Sequence, residues 1–170
     1  MITQELHTDQ LFASLDETTS ELIQLATSIS ETLLNTVPFA GSWTAAQLII
    51  HVTKSNKAIA QGLNIEGKQA NRNPEDGVPH IKKMFLDFEA KYQSPAFIVP
   101  EEGNYNKDEI IDALKKSVQR LQQLRTETNL TELINLPAFG EITKLELLHF
   151  VLYHTQRHIY QLKNIITSFK

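Results

Sequence analysis

Residues 143–170, TKLELLHFVLYHTQRHIYQLKNIITSFK, decide how this chain folds. Leu147, Val151, His154, His158, Leu162 and Ile165 recur at steps of three and four, so a helix sets all six on one row facing a core. Thr143 is a helix cap, and Glu146 three residues later completes a capping box. The row is apolar except for two imidazoles one turn apart, about 6 Å along the axis, pointing the same way.

The same period recurs upstream. A first helix is predicted from the caps Thr8-Asp9, carrying Leu11, Leu15, Leu22, Leu25, Ile29 and Leu33, and ending before Pro38. After the turn Val37-Pro38-Phe39-Ala40-Gly41, Ser42 or Thr44 caps a second helix reaching about Gly62, with Leu48, His51, Val52, Ser55 and Ile59 on one side. A short helix is predicted over residues 80–92, with Ile81, Met84, Phe85 and Phe88 on one face. A third long helix spans residues 107–128, with Ile110, Leu114, Val118, Leu121 and Leu124 facing inward. Between them, residues 64–79 and 93–106 are irregular, and connections this long are often functional. Phe97-Ile98-Val99 is expected to pack on the bundle as an extended segment. Residues 129–142 read as a loop with at most one helical turn, and no alternating strand is convincing. The expectation is an all-α helix bundle with one additional short helix, forming one domain over residues 1–170.

Composition narrows the function. Sixteen Lys and Arg against 20 Asp and Glu give a net charge of −4, unlike the basic surface that binds a duplex. With no cysteine, the chain supplies neither a thiolate metal site nor a thiol nucleophile. No window reaches the ~18 apolar residues of a membrane span, and the N-terminus does not read as a leader. A cytoplasmic protein without a membrane or nucleic-acid partner is expected.

His154 and His158 can both reach one metal ion, although six histidines in 170 residues produce such a pair by chance in about one chain in six. Core histidines bonded to carbonyls are the alternative. Position favours chemistry, because an unpartnered imidazole in an apolar row leaves buried polar atoms unsatisfied. His51, inward-facing on the second helix, can join them, and bundle cores build metal sites from facing helices in this way. Three histidines with an open fourth position form a catalytic type of coordination. His149 is a poor third ligand, being five residues before His154 and well around the helix.

Gly41-Ser42-Trp43-Thr44-Ala45-Ala46-Gln47, then His51, then His154-Thr-Gln-Arg-His158, resembles the DinB-like superfamily, with its W-[ST]-x-x-[EQ]-x-x-x-H segment and terminal H-x-x-x-H pair. The resemblance implies a four-helix bundle of up-down-down-up connectivity, a divalent ion on His51, His154 and His158, and a homodimer. Zn²⁺ or Ni²⁺ fits such ligands first, and Fe²⁺ or Mn²⁺ next. It also implies a metal-dependent enzyme acting on a small molecule, either a thiol transferase using a low-molecular-weight thiol or a hydrolase. The alternative is a non-catalytic, metal-stabilised bundle serving as a structural or stress-response interaction protein.

No general base is evident, since Thr155 stands where an HExxH motif has Glu. Gln47, Ser55 and Gln161 are candidates to orient ligands or substrate. Trp43, Tyr153 and Tyr160 are expected to pack, Arg157 to reach solvent or an anion, and His7 and His80 to be exposed. Because imidazoles bind metal only when neutral, affinity is expected to fall below about pH 6.5.

Overall fold

Caps and breaks set the helix boundaries in the structure, a computed structural model that describes residues 2–170, with side chains from Thr8 onward. His7 lies outside the described side chains. Helix α1 (Ile2–Ser28) stops short of Pro38, and after a break at Ile29-Ser30 a single turn follows, α2 (Glu31–Leu34), capped by the Ser30 hydroxyl, which accepts from the Leu33 N–H. The break shifts the register: Leu34 is buried and Leu33 turns outward, not into the core as the uninterrupted period predicted.

Thr44 and Gln47 form a capping box at the start of α3 (Ala45–Leu63). The short helix α4 (Val78–Leu86) ends before Asp87, whose side chain accepts from the N–H groups of Glu89 and Ala90 and turns the chain. Phe88, predicted to lie within this helix, therefore falls outside it and stacks at the surface on Tyr160, ring centroids 4.3 Å apart. Asn106 caps α5 (Lys107–Glu127), and the predicted Thr143–Glu146 capping box opens α6 (Lys144–Ser168).

Two apolar layers fix the helix directions. One joins Leu11 and Leu15 of α1, Ile59 and Leu63 of α3, Leu121 and Leu124 of α5, and the first half of α6. The other joins the end of α1, the starts of α3 and α5, and the second half of α6. Helices α1 and α6 thus run one way and α3 and α5 the other, giving the up-down-down-up bundle. Polar clamps agree: Asp16 in the middle of α1 holds Arg125 at the end of α5 through two bonds of 2.8 and 2.9 Å, while Lys107 at the start of α5 reaches the Thr27 carbonyl near the end of α1.

The region read as a loop contains a small antiparallel sheet. Strands β1 (Lys68–Gln69), β2 (Glu132–Leu136) and β3 (Gly140–Thr143) pair in that order, with Ile134 opposite Ile142. Gly140, at φ +69°, makes the tight return from β2 to β3. Runs of two to five residues are too short for period-two alternation to stand out in the sequence, and three strand residues are buried, Ile134 and Ile142 in the apolar core and the capping Thr143 beside it.

Glu146 does more than cap. Its side chain is 2% exposed, receives two bonds from Arg72 at 2.7 and 2.8 Å, and accepts from the N–H of Gly77 and Thr143. A β-carbon on Gly77 would stand 2.8 Å from that carboxylate. Burial works to raise the Glu146 pKa, but the Arg72 and backbone donors together hold it below the ordinary value. We expect Glu146→Ala to lower stability by about 2–3 kcal/mol, because it strands Arg72 and two buried N–H groups, with Glu146→Gln losing less. Urea unfolding at pH 7 measures both.

Candidate metal centre

The side chain of His51, on α3, and those of His154 and His158, on the antiparallel neighbour α6, meet in the interior at 2%, 5% and 5% exposure. The Nε2 atoms of His51 and His154 are 3.2 Å apart, and those of His154 and His158 are 3.0 Å apart. The opposite ring nitrogens are engaged elsewhere. His51 Nδ1 donates to the Ile98 carbonyl at 3.0 Å, and His158 Nδ1 donates to Gln161 Oε1 at 2.7 Å. A neutral imidazole whose proton is on Nδ1 presents a bare lone pair at Nε2. Two such lone pairs face His154 Nε2, which can donate to one of them at most.

Such a cluster is unfavourable by itself and fits a cation. Three nitrogens on one tetrahedral ion at about 2.0–2.1 Å stand about 3.3 Å from one another, close to the spacings found here. One ligand atom from each histidine lies within 4.8 Å of the others. The Nδ1 bonds to Ile98 and Gln161 are the outer contacts that orient imidazole ligands.

Desolvation keeps all three rings neutral. Burial lowers the His51 pKa against the opposing bond to Ile98, and burial followed by repulsion from His158, His51 and Arg157 takes His154 well below its ordinary value. Burial first, aided by His51 and Arg157 and opposed by Gln161, pushes His158 down to about 3. Burial therefore biases all three rings toward the neutral, metal-binding form below the range of an unperturbed imidazole.

The cluster forms one wall of a cavity of about 1260 Å³. Residues 93–95 and 97–99 line it, as expected of the second irregular segment; from the first, only Ile65 does, and the rest comes from the inward faces of α3, α4 and α6, from Lys91 and Tyr92, and from the turns at 39–43 and 136–139. Ile98 sits buried in a 3-10 turn (Ala96–Ile98), not in an extended segment, and Phe97 and Val99 are exposed. The strap is fastened by three residues on one face of α3: Gln47 donates to the Glu101 carbonyl, His51 to Ile98 and Lys54 to Val99.

The other candidates separate. Gln161 contacts a cluster histidine directly. Ser55 lines the cavity, whereas Gln47 is spent on the helix cap and the strap. Trp43 lines the cavity with its ring 5.0 Å from that of His51, instead of being fully buried in the core. Tyr153 is buried, Tyr160 is at the surface, and His80 is exposed. His149 stands apart from the cluster, 3.4 Å from Glu75. Arg157, expected to reach solvent or an anion, does not reach solvent: it is buried and donates to the main-chain carbonyls of Phe85, Asp87 and Ala90, tying the turn after α4 to α6. The Ile98 carbonyl was missed because a main-chain acceptor has no residue-type signature.

The arrangement defines a four-helix bundle with a three-histidine cluster opening into a cavity. A family model described as the DinB superfamily matches residues 14–162, and the chain belongs to that superfamily. Among solved structures it is similar to TT2238, described as a four-helix bundle protein, at 16% identity and a TM-score of 0.59 over 92% of this chain and 98% of that one. YfiT from Bacillus subtilis, described as "a probable metal-dependent hydrolase with an unusual four-helix bundle topology", is 17% identical with a TM-score of 0.59 over 94% and 86%. A conserved protein from Enterococcus faecalis is 14% identical with a TM-score of 0.55 over 94% and 97%. At these identities the likeness establishes the fold. The search of curated proteins found no match.

Two outcomes are expected. Gln161→Leu removes the acceptor from His158 Nδ1 and should weaken zinc binding about 10- to 100-fold in competition with a chromophoric chelator, with helicity unchanged. The second concerns pH. The unfolded chain takes up protons on histidine as pH falls through about 6.5, while the buried rings do not, so the unfolded state binds more protons in the window below that value. Stability of the metal-free protein should therefore fall from pH 6.5 toward 5 by up to about 1.4 kcal/mol per pH unit for each of these histidines. Urea midpoints across that range check the sign.

Proposed function

We propose that this protein is a divalent-metal enzyme acting on a small molecule, with the ion held by His51, His154 and His158. The observation that carries the reading is the convergence of three buried Nε2 atoms on the wall of a cavity large enough for a substrate. Zn²⁺ or Ni²⁺ suits an all-imidazole set best, with Fe²⁺ or Mn²⁺ as alternatives. When bound, such an ion supplies Lewis acidity, polarising an oxygen or holding a thiol as thiolate.

The chain's own groups do the rest. Ile98 and Gln161 fix two imidazoles with Nε2 toward the cluster. The rings of Phe85 and Phe150, centred 5.9 and 4.9 Å from that of His154, limit water on that side. Among the described residues the cavity lining contains no Asp or Glu, so none of their carboxylates stands ready there as a general base. This favours a substrate or co-substrate bringing its own ionisable group, as a low-molecular-weight thiol does, over hydrolysis. The description of the Bacillus subtilis neighbour supports metal dependence and names the hydrolytic alternative. We further propose a cytoplasmic homodimer with no nucleic-acid or membrane partner; the net charge of −4 and the absence, among the described helices, of one long and apolar enough to cross a membrane support the latter two points.

Protein purified without an affinity tag should carry about one metal ion per chain by elemental analysis, and His158→Ala should lose it. Full metal content in that variant would remove the proposed site. Collapse of the bundle on chelation would instead favour the non-catalytic, metal-stabilised reading, in which the ion ties α3 to α6 as a structural or interaction protein.

A further inference from the structure

The cavity beside the histidine cluster has an unbalanced electrostatic character. Its charged lining consists of Lys91 and Arg157, and among the described residues no Asp or Glu lines it. Arg157 is buried, and its guanidinium meets main-chain carbonyls and, 5.4 Å away, the ring of Tyr92, none of which carries a compensating charge. Lys91 is exposed and has no ion-pair partner among the described residues. Ser55, 4% exposed, presents its hydroxyl to the same space without a hydrogen-bond partner. Most of the remaining wall is apolar, with Trp43, Phe85, Phe139 and Phe150 supplying aromatic faces.

An unneutralised buried guanidinium is costly unless a ligand completes it, and a low-dielectric wall strengthens its pull on an anion. Neutral imidazoles add no negative charge around a divalent ion, so the loaded site becomes more positive still. Resting on the metal-enzyme reading above, we propose that the cavity selects a small organic anion: an apolar, ring-sized body against the aromatic walls and a carboxylate-like head toward the cluster. Ser55 donates to that head, and Arg157 and Lys91 provide the countercharge.

The test uses Trp43, the sole tryptophan, whose ring lies against His51, as a fluorescence reporter. Zinc-loaded protein at low salt is titrated with 4-phenylbutyrate, neutral 4-phenylbutyramide and cationic 4-phenylbutylamine. The carboxylate should bind at least tenfold tighter than the amide, and the amine more weakly than either. Lys91→Glu, a surface change that leaves folding intact, should weaken the carboxylate about three- to tenfold and leave the amide unchanged, with the difference shrinking as salt rises. Ser55→Ala should weaken the carboxylate more than the amide. Equal affinities for acid and amide in protein carrying one zinc per chain would overturn the inference while leaving the metal reading standing. If no zinc binds, the metal reading fails, and the same titrations on the metal-free protein decide the cavity's preference: a carboxylate preference lost in Lys91→Glu supports it, and its absence overturns it.

Discussion

Three imidazole nitrogens, stripped of water and pressed to about 3 Å, form a contact that neutral side chains do not seek unaided. The surrounding structure acts to hold it. Antiparallel packing of α3 on α6 brings together residues a hundred positions apart, and the strap carbonyl and Gln161 turn two rings so that their bare nitrogens face inward. Aromatic rings close off one side. A fold built only for stability would place leucines on these rows, as it does immediately above and below them at Leu48, Leu147 and Leu162.

The helices and the cluster were legible because they are periodic. Rows at steps of three and four identified the inward faces of α3, α5 and α6, and the same rows put His51, His154 and His158 toward one interior. What escaped is aperiodic or acts through the main chain. The three-stranded sheet is assembled from runs shorter than its own repeat can reveal. The break at Ile29-Ser30 is a local change of register that an averaged pattern smooths over, and it exchanged the roles of Leu33 and Leu34. Arg157 was misplaced for another reason: its partners are carbonyls of the turn after α4, which any sequence offers everywhere.

Charge placement separates the two ends of α6. At its start, Glu146 is fully answered by Arg72 and two N–H groups, and Lys144 by Glu132 at 2.6 Å, so that end is electrically closed. Less than a turn beyond His154, Arg157 places positive charge in a cavity wall whose described lining contains no acid. Stabilising ion pairs and an open, uncompensated field thus occupy one helix without interfering, because the eleven positions between Glu146 and Arg157 put them about 16 Å apart along it.

The strap over residues 96–101 grips α3 at Gln47, His51 and Lys54, successive turns of one helix face. Its middle fastening is also a member of the histidine cluster, so the rim of the cavity and its innermost wall share a hinge pin. Sequence drift in this segment, even at positions that touch no ligand, would tilt an imidazole as it reshapes the entrance, whereas changes in the β2–β3 turn would remodel the doorway alone. Relatives that differ in the strap should accordingly diverge in reactivity and selectivity together, while those that differ in the hairpin should keep a common chemistry and vary only in what they admit.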